Sequence, residues 1–395
     1  MEFMEVTMSN IPAHDPRTAA RPADRTARPV GEVLSSWPTA RFCFKFDEGT
    51  KLLVILITAI LALCMIFSTV LFIGGRDIYF HFTPKPPKEE SSGGVAAEKG
   101  DFPYADGQSG AALLPWADKV DIIPAGSINS SHAALADLST GEIIASRKAD
   151  EVIYPASMTK VMTLIVVVEN LPNGDCLEDE ITVSQAVYDA MKAEGSSGIG
   201  MAAGEKLTVE SLLYALMLRS DGIAASELAR YVAGSEEDFV ELMNQKAEKM
   251  GLSNTHFENP TGLHHPNHKS TAREIASIMA YAMNMNLCRK VLLTQSYNAP
   301  CVGADGAKFT YTLYHNLIVT RFEELKKQNP SLPTQPNKMN VAAGKTGFTD
   351  EARFCLVTYA ESSDGHGYVC VTAEGENYNA CIADYITIYN TYAKP

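Results

Sequence analysis

The sequence predicts an α/β (α+β) fold, in which an antiparallel sheet is flanked by helices, carries a helical lobe, and is preceded by one transmembrane helix. Three observations support this prediction. A strand–turn–strand pattern spans residues 133–147, helical signals fill about 180–290, and strand patterns return over 309–373. A helical region inserted between strand regions is typical of a sheet that carries a helical lobe.

The N-terminal 115 residues read as three consecutive segments. Residues 1–51 are rich in Pro, Ala, Arg and Thr without sustained periodicity, which predicts a disordered cytoplasmic tail. Residues 52–73 are 22 uncharged residues, about 33 Å as a helix, which is enough to span a membrane core of roughly 30 Å and to remain as an anchor. Residues 74–115, Pro-rich and then Gly/Ser-rich, predict a flexible linker.

Charge narrows the choice of partners. The chain has 395 residues, 46% of them hydrophobic, and a formal net charge of −14. Residues 1–51 hold seven basic and seven acidic residues, so the acidic excess falls beyond the apolar segment. An acidic C-terminal region argues against nucleic acid as a partner. The apolar segment has three Lys or Arg on each near flank, so the positive-inside rule does not orient it.

Individual elements follow from periodicity and turn signals. A Ser-Thr-Gly turn separates the first two strands, Gly251 closes one helix, and a polar loop over 361–366 joins the last two strands as a hairpin. The predicted strands are 133–138, 142–147, 309–313, 353–359 and 367–373, and the predicted helices are 209–218, 237–250 and 377–392.

A serine and a lysine begin an apolar helix pattern. Ser157 and Lys160 lie three positions apart, so they share one helical face, and the run 161–168 predicts that this helix is buried. Burial and a neighbouring cation favour a neutral amine, which can accept the serine proton. Ser-x-x-Lys alone is expected about once by chance in a chain of this length, so its meaning depends on other motifs.

Two further motifs follow in order, Ser220-Asp-Gly222 after a helical pattern and Lys345-Thr-Gly347 at the start of a strand-like run. This trio is typical of serine β-lactamases and penicillin-binding proteins. From about Asn129 to the C-terminus the chain resembles the serine D-alanyl-D-alanine carboxypeptidases, low-molecular-mass penicillin-binding proteins similar to peptidase family S11. The sequence motifs that carry the resemblance also include Gly195-Ser-Ser197, the run 204–213, Ala224-Ala225, Asn254-Thr-His-Phe257, Gly262-Leu263, Ser270-Thr-Ala-Arg273 and Lys345-Thr-Gly-Phe-Thr349.

The resemblance implies a β-lactamase/D,D-peptidase-like domain over 116–395 with roles for three catalytic residues. Ser157 would attack the carbonyl between two D-alanines, Lys160 would take its proton, and Ser220 would pass a proton to the departing D-alanine. Peptidoglycan stem peptides and β-lactam antibiotics are the implied ligands. The domain is expected outside the cell membrane, with no cofactor or metal, and no oligomeric state is predicted.

The third motif is implied to bind substrate. Lys345 and Thr346 would bind the terminal carboxylate, and Gly347 would let substrate approach the strand. The backbone N–H groups of Ser157 and Phe348 are implied to be the oxyanion donors.

One position departs from the resemblance, because Gly222 stands where the family usually has Asn. Loss of that hydrogen bond, worth about 1.5–3 kcal/mol, predicts a slower enzyme and a rate gain on Gly222→Asn. Two alternatives stay open. One is a catalytically weakened homologue that binds muropeptides or scaffolds cell-wall proteins, and the other is a serine β-lactamase.

Histidine and cysteine residues outside these motifs each allow two interpretations. The cluster from His264 to His268 could hold a metal, but an internal proline and the absence of a nearby carboxylate or cysteine favour solvent-facing histidines. Cys355 and Cys370 could bridge the predicted hairpin, with free buried thiols as the alternative. The charged, proline-containing segment 318–340 predicts a surface excursion.

Overall fold

The computed structural model of the protein describes residues 115–171 and 174–394. Every described residue belongs to the compact unit within 96–395. The predicted tail, the predicted membrane helix over 52–73 and almost all of the predicted linker lie outside the described residues. Among the helices that are described, none is long and apolar enough to cross a bilayer.

The main sheet has six strands in the order β1-β3-β2-β12-β11-β10. β1 pairs with β3 in parallel, and every other pair in this sheet is antiparallel. The predicted antiparallel sheet is therefore confirmed with one parallel edge strand. The strands are β1 (Trp116–Ile122), β2 (His132–Asp137), β3 (Glu142–Arg147), β10 (Met339–Thr349), β11 (Arg353–Ser362) and β12 (Gly367–Gly375).

Both faces of this sheet are covered, because alternate residues of a strand point to opposite faces. On β12, Val369 and Val371 belong to one buried cluster, whereas Tyr368 and Cys370 belong to another. Helix α9 (Tyr378–Tyr392) contributes to the second cluster. The central strands are consequently apolar on both sides and carry few charges that could specify a solvent face.

The predicted helical lobe contains helices and also a second, smaller sheet that the sequence patterns did not reveal. This sheet has four strands, β5 (Glu180–Thr182), β6 (Lys206–Thr208), β8 (Ser296–Val302) and β9 (Lys308–Tyr314). The strand predicted over 309–313 is β9. The helices between Lys160 and Leu293 are α1 (Lys160–Glu169), α2 (Gln185–Ala193), α3 (Val209–Leu218), α4 (Gly222–Ala233), α5 (Glu236–Lys249), α6 (Ala272–Asn284) and α7 (Asn286–Leu293), with a two-stranded pair of β4 (Val152–Ile153) and β7 (Ser270–Thr271).

Helix boundaries agree with their sequence signals. Helix α3 occupies the predicted range, α5 ends just before Gly251, which has a φ of +72°, and α9 starts after Asn377, whose side chain accepts from the backbone N–H of Ala380 at 2.9 Å. A positive φ favours glycine after a helix, and an Asn cap satisfies a free N–H at its start.

The excursion predicted over 318–340 is partly buried. A π-helical turn (Asn316–Arg321) leads into α8 (Phe322–Gln328), and both contribute side chains to the second cluster. Leu317, Phe322 and Leu325 are buried there. Most of 318–340 is exposed, so the expectation of a surface segment is confirmed apart from buried residues such as Phe322 and Leu325, which recur at helical spacing and pack into the second cluster.

Six cysteines lie within the described residues and all six are buried, and Cys355 and Cys370 are free thiols. In the hairpin of β11 and β12, Cys370 lies opposite Thr358. Cys355 pairs instead with Gly347 on β10. The bridge considered between Cys355 and Cys370 is therefore wrong, because the register places the two residues out of line.

Candidate active site

Residues from eight separate stretches line one cleft of about 390 Å³. They are the turn at the start of α1, the loop after α2, the loop between α3 and α4, the loop before β7, the π-helical turn over 316–321, strand β10, the start of β11 and the start of α9. The lining residues are Ser157, Lys160, Gly195, Ser196, Ser197, Ser220, Thr261, Gly262, Leu263, Asn316, Arg321, Thr346, Phe348, Thr349, Phe354 and Tyr378.

The first serine–lysine pair lies at the start of α1. Ser157 is in a 3-10 turn (Ala156–Thr159), and Lys160 is the first residue of the buried helix. The Nζ atom of Lys160 lies 3.1 Å from Oγ of Ser157 and donates to the carbonyl oxygen of Thr261 at 2.5 Å. Burial lowers the pKa of Lys160 to about 7, although the nearby Asp221 carboxylate acts in the opposite direction. A substantial fraction of this amine is neutral at neutral pH and can accept the serine proton.

The second pair joins distant parts of the chain. Ser220 follows α3 with a φ of +58° and is 5% exposed. The Nζ atom of Lys345 donates to Oγ of Ser220 at 2.8 Å and to the carbonyl oxygen of Thr346 at 2.8 Å. Burial, with a contribution from the charge of Lys160, holds the pKa of Lys345 well below its usual range.

Strand β10 carries the third motif in its interior, whereas the sequence predicted a strand starting there. The strand begins at Met339. Thr346 Oγ1 accepts from Nδ2 of Asn316 at 3.2 Å. A Cβ atom at Gly347 would lie 3.2 Å from the backbone nitrogen of Ser157. Gly347 therefore allows the strand to pack closely against the turn that carries Ser157, which is a different reason from the approach of substrate expected from the sequence.

Aromatic side chains and one arginine form the end of the cleft beside Thr346. Phe348 is 47% exposed, and its ring lies 4.7 Å from that of Phe354, which lies 4.8 Å from Tyr378. The guanidinium of Arg321 stacks over Tyr378 at 4.9 Å. Its Nη1 donates to Glu324 at 2.8 Å, while its buried Nε has no hydrogen-bond partner within the described part of the chain. None of Arg321, Phe354 and Tyr378 belongs to a motif, and the sequence analysis missed them.

A side chain at Gly222 would meet the side chain of Ser196. Gly222 is the first residue of α4, and a Cβ atom there would lie 2.0 Å from Oγ of Ser196. A substitution at 222 therefore requires the Ser196 hydroxyl to turn aside. The expected rate gain on Gly222→Asn stays a prediction.

Asp221 fixes the loop that carries Ser196. Its carboxylate is buried and accepts from the backbone N–H of Ala224 at 2.9 Å and of Ile199 at 2.7 Å. The backbone N–H of Gly222 donates to the carbonyl oxygen of Ser197 at 2.9 Å. Burial raises the pKa of Asp221, while these N–H donors and Lys160 oppose the rise. The loop is thereby held against the start of α4.

The histidine cluster does not face solvent throughout. His268 is buried, its Nε2 lies 2.8 Å from Oγ1 of Thr159, and its Nδ1 accepts from the backbone N–H of Glu258 at 3.3 Å. Burial lowers the pKa of His268 to about 3. The neutral imidazole therefore donates to Thr159, in the turn that carries Ser157. The expectation that His268 faces solvent is wrong. Over residues 115–171 and 174–394, no group of three or more His, Cys, Asp or Glu side chains could hold a metal ion.

Comparisons with known proteins agree with this architecture. Residues 119–373 match the family model of the D-alanyl-D-alanine carboxypeptidases, peptidase family S11. The chain is 32% identical over 239 residues to the D-alanyl-D-alanine carboxypeptidase DacF of Bacillus subtilis, covering 60% of this chain and 55% of that one. It is 31% identical over 245 residues to DacC of Escherichia coli, covering 61% of this chain and 56% of the relative. The match thus spans little more than half the length of these relatives.

A solved structure extends the agreement to the fold. The crystal structure of the Streptomyces K15 DD-transpeptidase superimposes with a TM-score of 0.59 at 27% identity, covering 68% of this chain and 98% of that chain. The turn that carries Ser157, both serine–lysine pairs and strand β10 all lie within the residues that match the family model. The chain belongs to the D-alanyl-D-alanine carboxypeptidase family, peptidase family S11.

Proposed function

We propose that this protein is a membrane-anchored serine D-Ala-D-Ala carboxypeptidase that trims peptidoglycan stem peptides and is acylated by penicillins. The observation that carries the proposal is the meeting of two serine–lysine pairs at one cleft, which is lined by Ser157, Lys160 and Ser220, while the buried Lys345 donates to Ser220. A hydroxyl beside a partly neutral amine is an activated nucleophile, and a second hydroxyl beside a second amine supplies a proton relay.

Acylation follows from this geometry. Ser157 Oγ forms a bond to the carbonyl carbon of the penultimate D-alanine while its proton passes to the neutral Nζ of Lys160. The C–N bond breaks as Ser220 Oγ gives its proton to the departing amine, and the proton that Lys160 accepted passes through Lys345 to Ser220, so that Lys160 is neutral again. Water then attacks the acyl-serine, with Lys160 as base, and releases the shortened peptide. Backbone N–H groups of Ser157 and Phe348 are the proposed oxyanion donors.

The end of the cleft beside Thr346 suits the terminal carboxylate. Lys345 is buried at 2% exposure, so an arriving carboxylate favours its protonated form. Thr346 offers a hydroxyl, and Arg321 adds a fixed positive charge at the rim. These groups would place the scissile carbonyl next to Ser157.

The location outside the membrane belongs to the proposal. It rests on the uncharged run over 52–73 and on the extracytoplasmic position of peptidoglycan. Protease added to intact cells should cut the segment 84–109 and release the large domain. Release only after lysis would place the domain in the cytoplasm and refute the cell-wall function.

The chemistry is tested with a fluorescent penicillin on the full chain. The wild type should be labelled covalently, and Ser157→Ala should abolish labelling with an unchanged thermal unfolding profile. Ser331→Ala, at an exposed serine, is the matched control and should be labelled like the wild type. D-Alanine release from a stem pentapeptide then measures turnover. Acylation without release would favour a weakened, peptide-binding homologue, and persistent labelling of Ser157→Ala would exclude Ser157 as the nucleophile.

A further inference from the structure

His268 lies behind the cleft and joins two segments that meet there. It is 2% exposed, and its Nε2 atom lies 2.8 Å from Oγ1 of Thr159, in the turn that carries Ser157. Its Nδ1 atom accepts from the backbone N–H of Glu258 at 3.3 Å, at the start of the loop 258–263. Because a neutral imidazole has one N–H, the ring nitrogen that accepts leaves the other as the donor. His268 therefore connects the loop to the turn.

Thr159 directs its hydroxyl to His268 instead of to its own helix. Thr159 occupies the N-terminal cap position of α1, where a threonine side chain commonly accepts from a free backbone N–H. Within the described part of the chain its side chain makes no such cap hydrogen bond. The residue is 1% exposed, so its hydroxyl is shielded from water. The contact with His268 thus gives this buried hydroxyl a partner on another segment of the chain.

The loop 258–263 carries the carbonyl group that orients the Lys160 amine. The Nζ atom of Lys160 donates to the carbonyl oxygen of Thr261 at 2.5 Å. The loop also lies in close contact with the turn, because a Cβ atom at Gly262 would lie 2.0 Å from the carbonyl oxygen of Ala156. An amine that is fixed through one N–H has fewer orientations open to it. The position of the loop therefore determines how the amine is held.

The loop is internally cross-linked by the side chain of Asn259. Its Oδ1 atom accepts from the backbone N–H groups of Thr261 and Gly262 at 3.2 and 2.8 Å. Its Nδ2 atom donates to the carbonyl oxygen of Leu263 at 3.0 Å. A segment that is stiffened in this way transmits the position of its ends to its middle. The hydrogen bond at Glu258 therefore also bears on the position of the Thr261 carbonyl.

The imidazole of His268 is neutral and is held in one orientation. Burial lowers its pKa to about 3, with smaller contributions in the same direction from neighbouring histidines and from Lys160. The ring of Phe257 packs edge-on at 5.5 Å, and the backbones of His256 and Lys269 exchange two hydrogen bonds of 2.9 Å beside it. A neutral donor does not repel the proton that the amine accepts. His268 can thus stabilise the turn without opposing protonation of Lys160.

Resting on the proposed acyl transfer, we propose that His268 is a positioning residue for Lys160. Its imidazole clamps the loop 258–263 to the turn that carries Ser157. The Thr261 carbonyl on that loop then holds the Lys160 amine against the serine hydroxyl. Because His268 lies behind the residues that line the cleft, it acts on the reaction through the amine.

The first test compares two variants by their rate of acylation with benzylpenicillin. His268→Leu removes both hydrogen bonds and should slow acylation about 10- to 100-fold, the effect of a small misplacement of reacting groups. His268→Gln offers a donor and an acceptor on one side chain, so it should recover most of that loss. His366→Leu, at an exposed histidine, is the matched control and should be acylated like the wild type. Equal losses for His268→Leu and His268→Gln would overturn the proposal.

The second test asks whether the effect passes through Lys160. In a Lys160→Met background the base is absent, so adding His268→Leu should change the residual acylation rate less than about twofold. A merely structural role would slow acylation by the same factor in both backgrounds. That result would overturn the proposal.

A change on the other side of the hydrogen bond keeps the inference testable if His268→Leu fails to fold. Thr159→Val keeps a branched side chain of similar shape but removes the acceptor hydroxyl, so it should slow acylation about 10-fold. Normal acylation of Thr159→Val would contradict the clamp. A wild type that no penicillin acylates would refute the proposed function itself, whereas normal wild-type acylation with an unaffected His268→Leu refutes only the role of His268.

Discussion

The cleft has two serine–lysine pairs, one formed by residues that are close in sequence and one by residues that are far apart in sequence. Ser157 and Lys160 are three residues apart, whereas 125 positions separate Ser220 from Lys345. Both lysines are 2% exposed and have lowered pKa values through burial. The Asp221 carboxylate raises the pKa of Lys160, while the charge of Lys160 lowers that of Lys345 further.

This difference in neighbouring charge suggests how one fold can suit two lysine amines to different chemical roles. A lysine that titrates near 7 can exchange protons at neutral pH, which a base requires. A lysine with a pKa well below its usual range becomes charged when an anion arrives, which suits carboxylate binding. Burial is the largest cause of both lowered pKa values, and the neighbouring charges act on the two amines in opposite directions.

Removing each amine should produce the largest contrast. Lys160→Met keeps the apolar stem and should slow penicillin acylation about 10³-fold, through loss of the base. Lys345→Met should slow it about 10- to 150-fold, through loss of a charge-assisted hydrogen bond. Stopped-flow acylation rates decide this, with Lys192→Met, at an exposed lysine, as the control. Equal losses would show that the pairs do not differ in role.

Acylation should also follow the titration of Lys160. The neutral amine is the active form, so the rate should rise with pH, by about 10-fold between pH 6 and 8, and level off above its pKa of about 7. The second-order acylation rate measured over pH 5 to 9 gives the profile. A rate that falls over this range would assign the active form to the protonated amine.

Arg321 is expected to act with the second pair. Arg321→Ala should raise the KM for a peptide with a free terminal carboxylate about 5- to 10-fold with little change in kcat, because the rim charge contributes to binding of both ground and transition states. Arg230→Ala, at an exposed arginine, is the matched control. A peptide amide, which lacks the carboxylate, should not distinguish Arg321→Ala from the wild type, and an equal loss with the amide would exclude a carboxylate contact.

The smallest effect concerns Asp221. Asp221→Asn keeps a side chain that caps α4 but removes a charge that raises the pKa of Lys160. The midpoint of the acylation profile should move to lower pH, by about half a unit or less at the effective dielectric of a protein site. A shift to higher pH would contradict the electrostatic coupling.

The sequence revealed local features better than assembled ones. The Ser157–Lys160 pair can be predicted from the sequence because helical spacing determines which side chains lie next to each other. Helix α3 can likewise be predicted from its run of apolar residues. The small sheet of β5, β6, β8 and β9 was missed because two of its strands are three residues long, too short for a period of two to stand out.

The rest of the site depends on tertiary contacts that no local pattern encodes. Arg321 and Tyr378 reach the cleft from different elements and meet by stacking. Ser196 belongs to a motif that resembles the family, and its sequence position does not predict that it lies next to Gly222. The burial of His268 was not predicted because its sequence neighbours, Asn267 and Lys269, are polar and give no sign of a buried position.

The closeness of Ser196 and Gly222 also bears on how this chain can change over evolutionary time. A Cβ atom at position 222 would meet the Ser196 hydroxyl, and a serine hydroxyl can turn to another rotamer without a change of residue. A side chain at 222 therefore requires a local adjustment and no second substitution. Descendants of this sequence that gain a side chain at 222 should be able to keep the serine at 196.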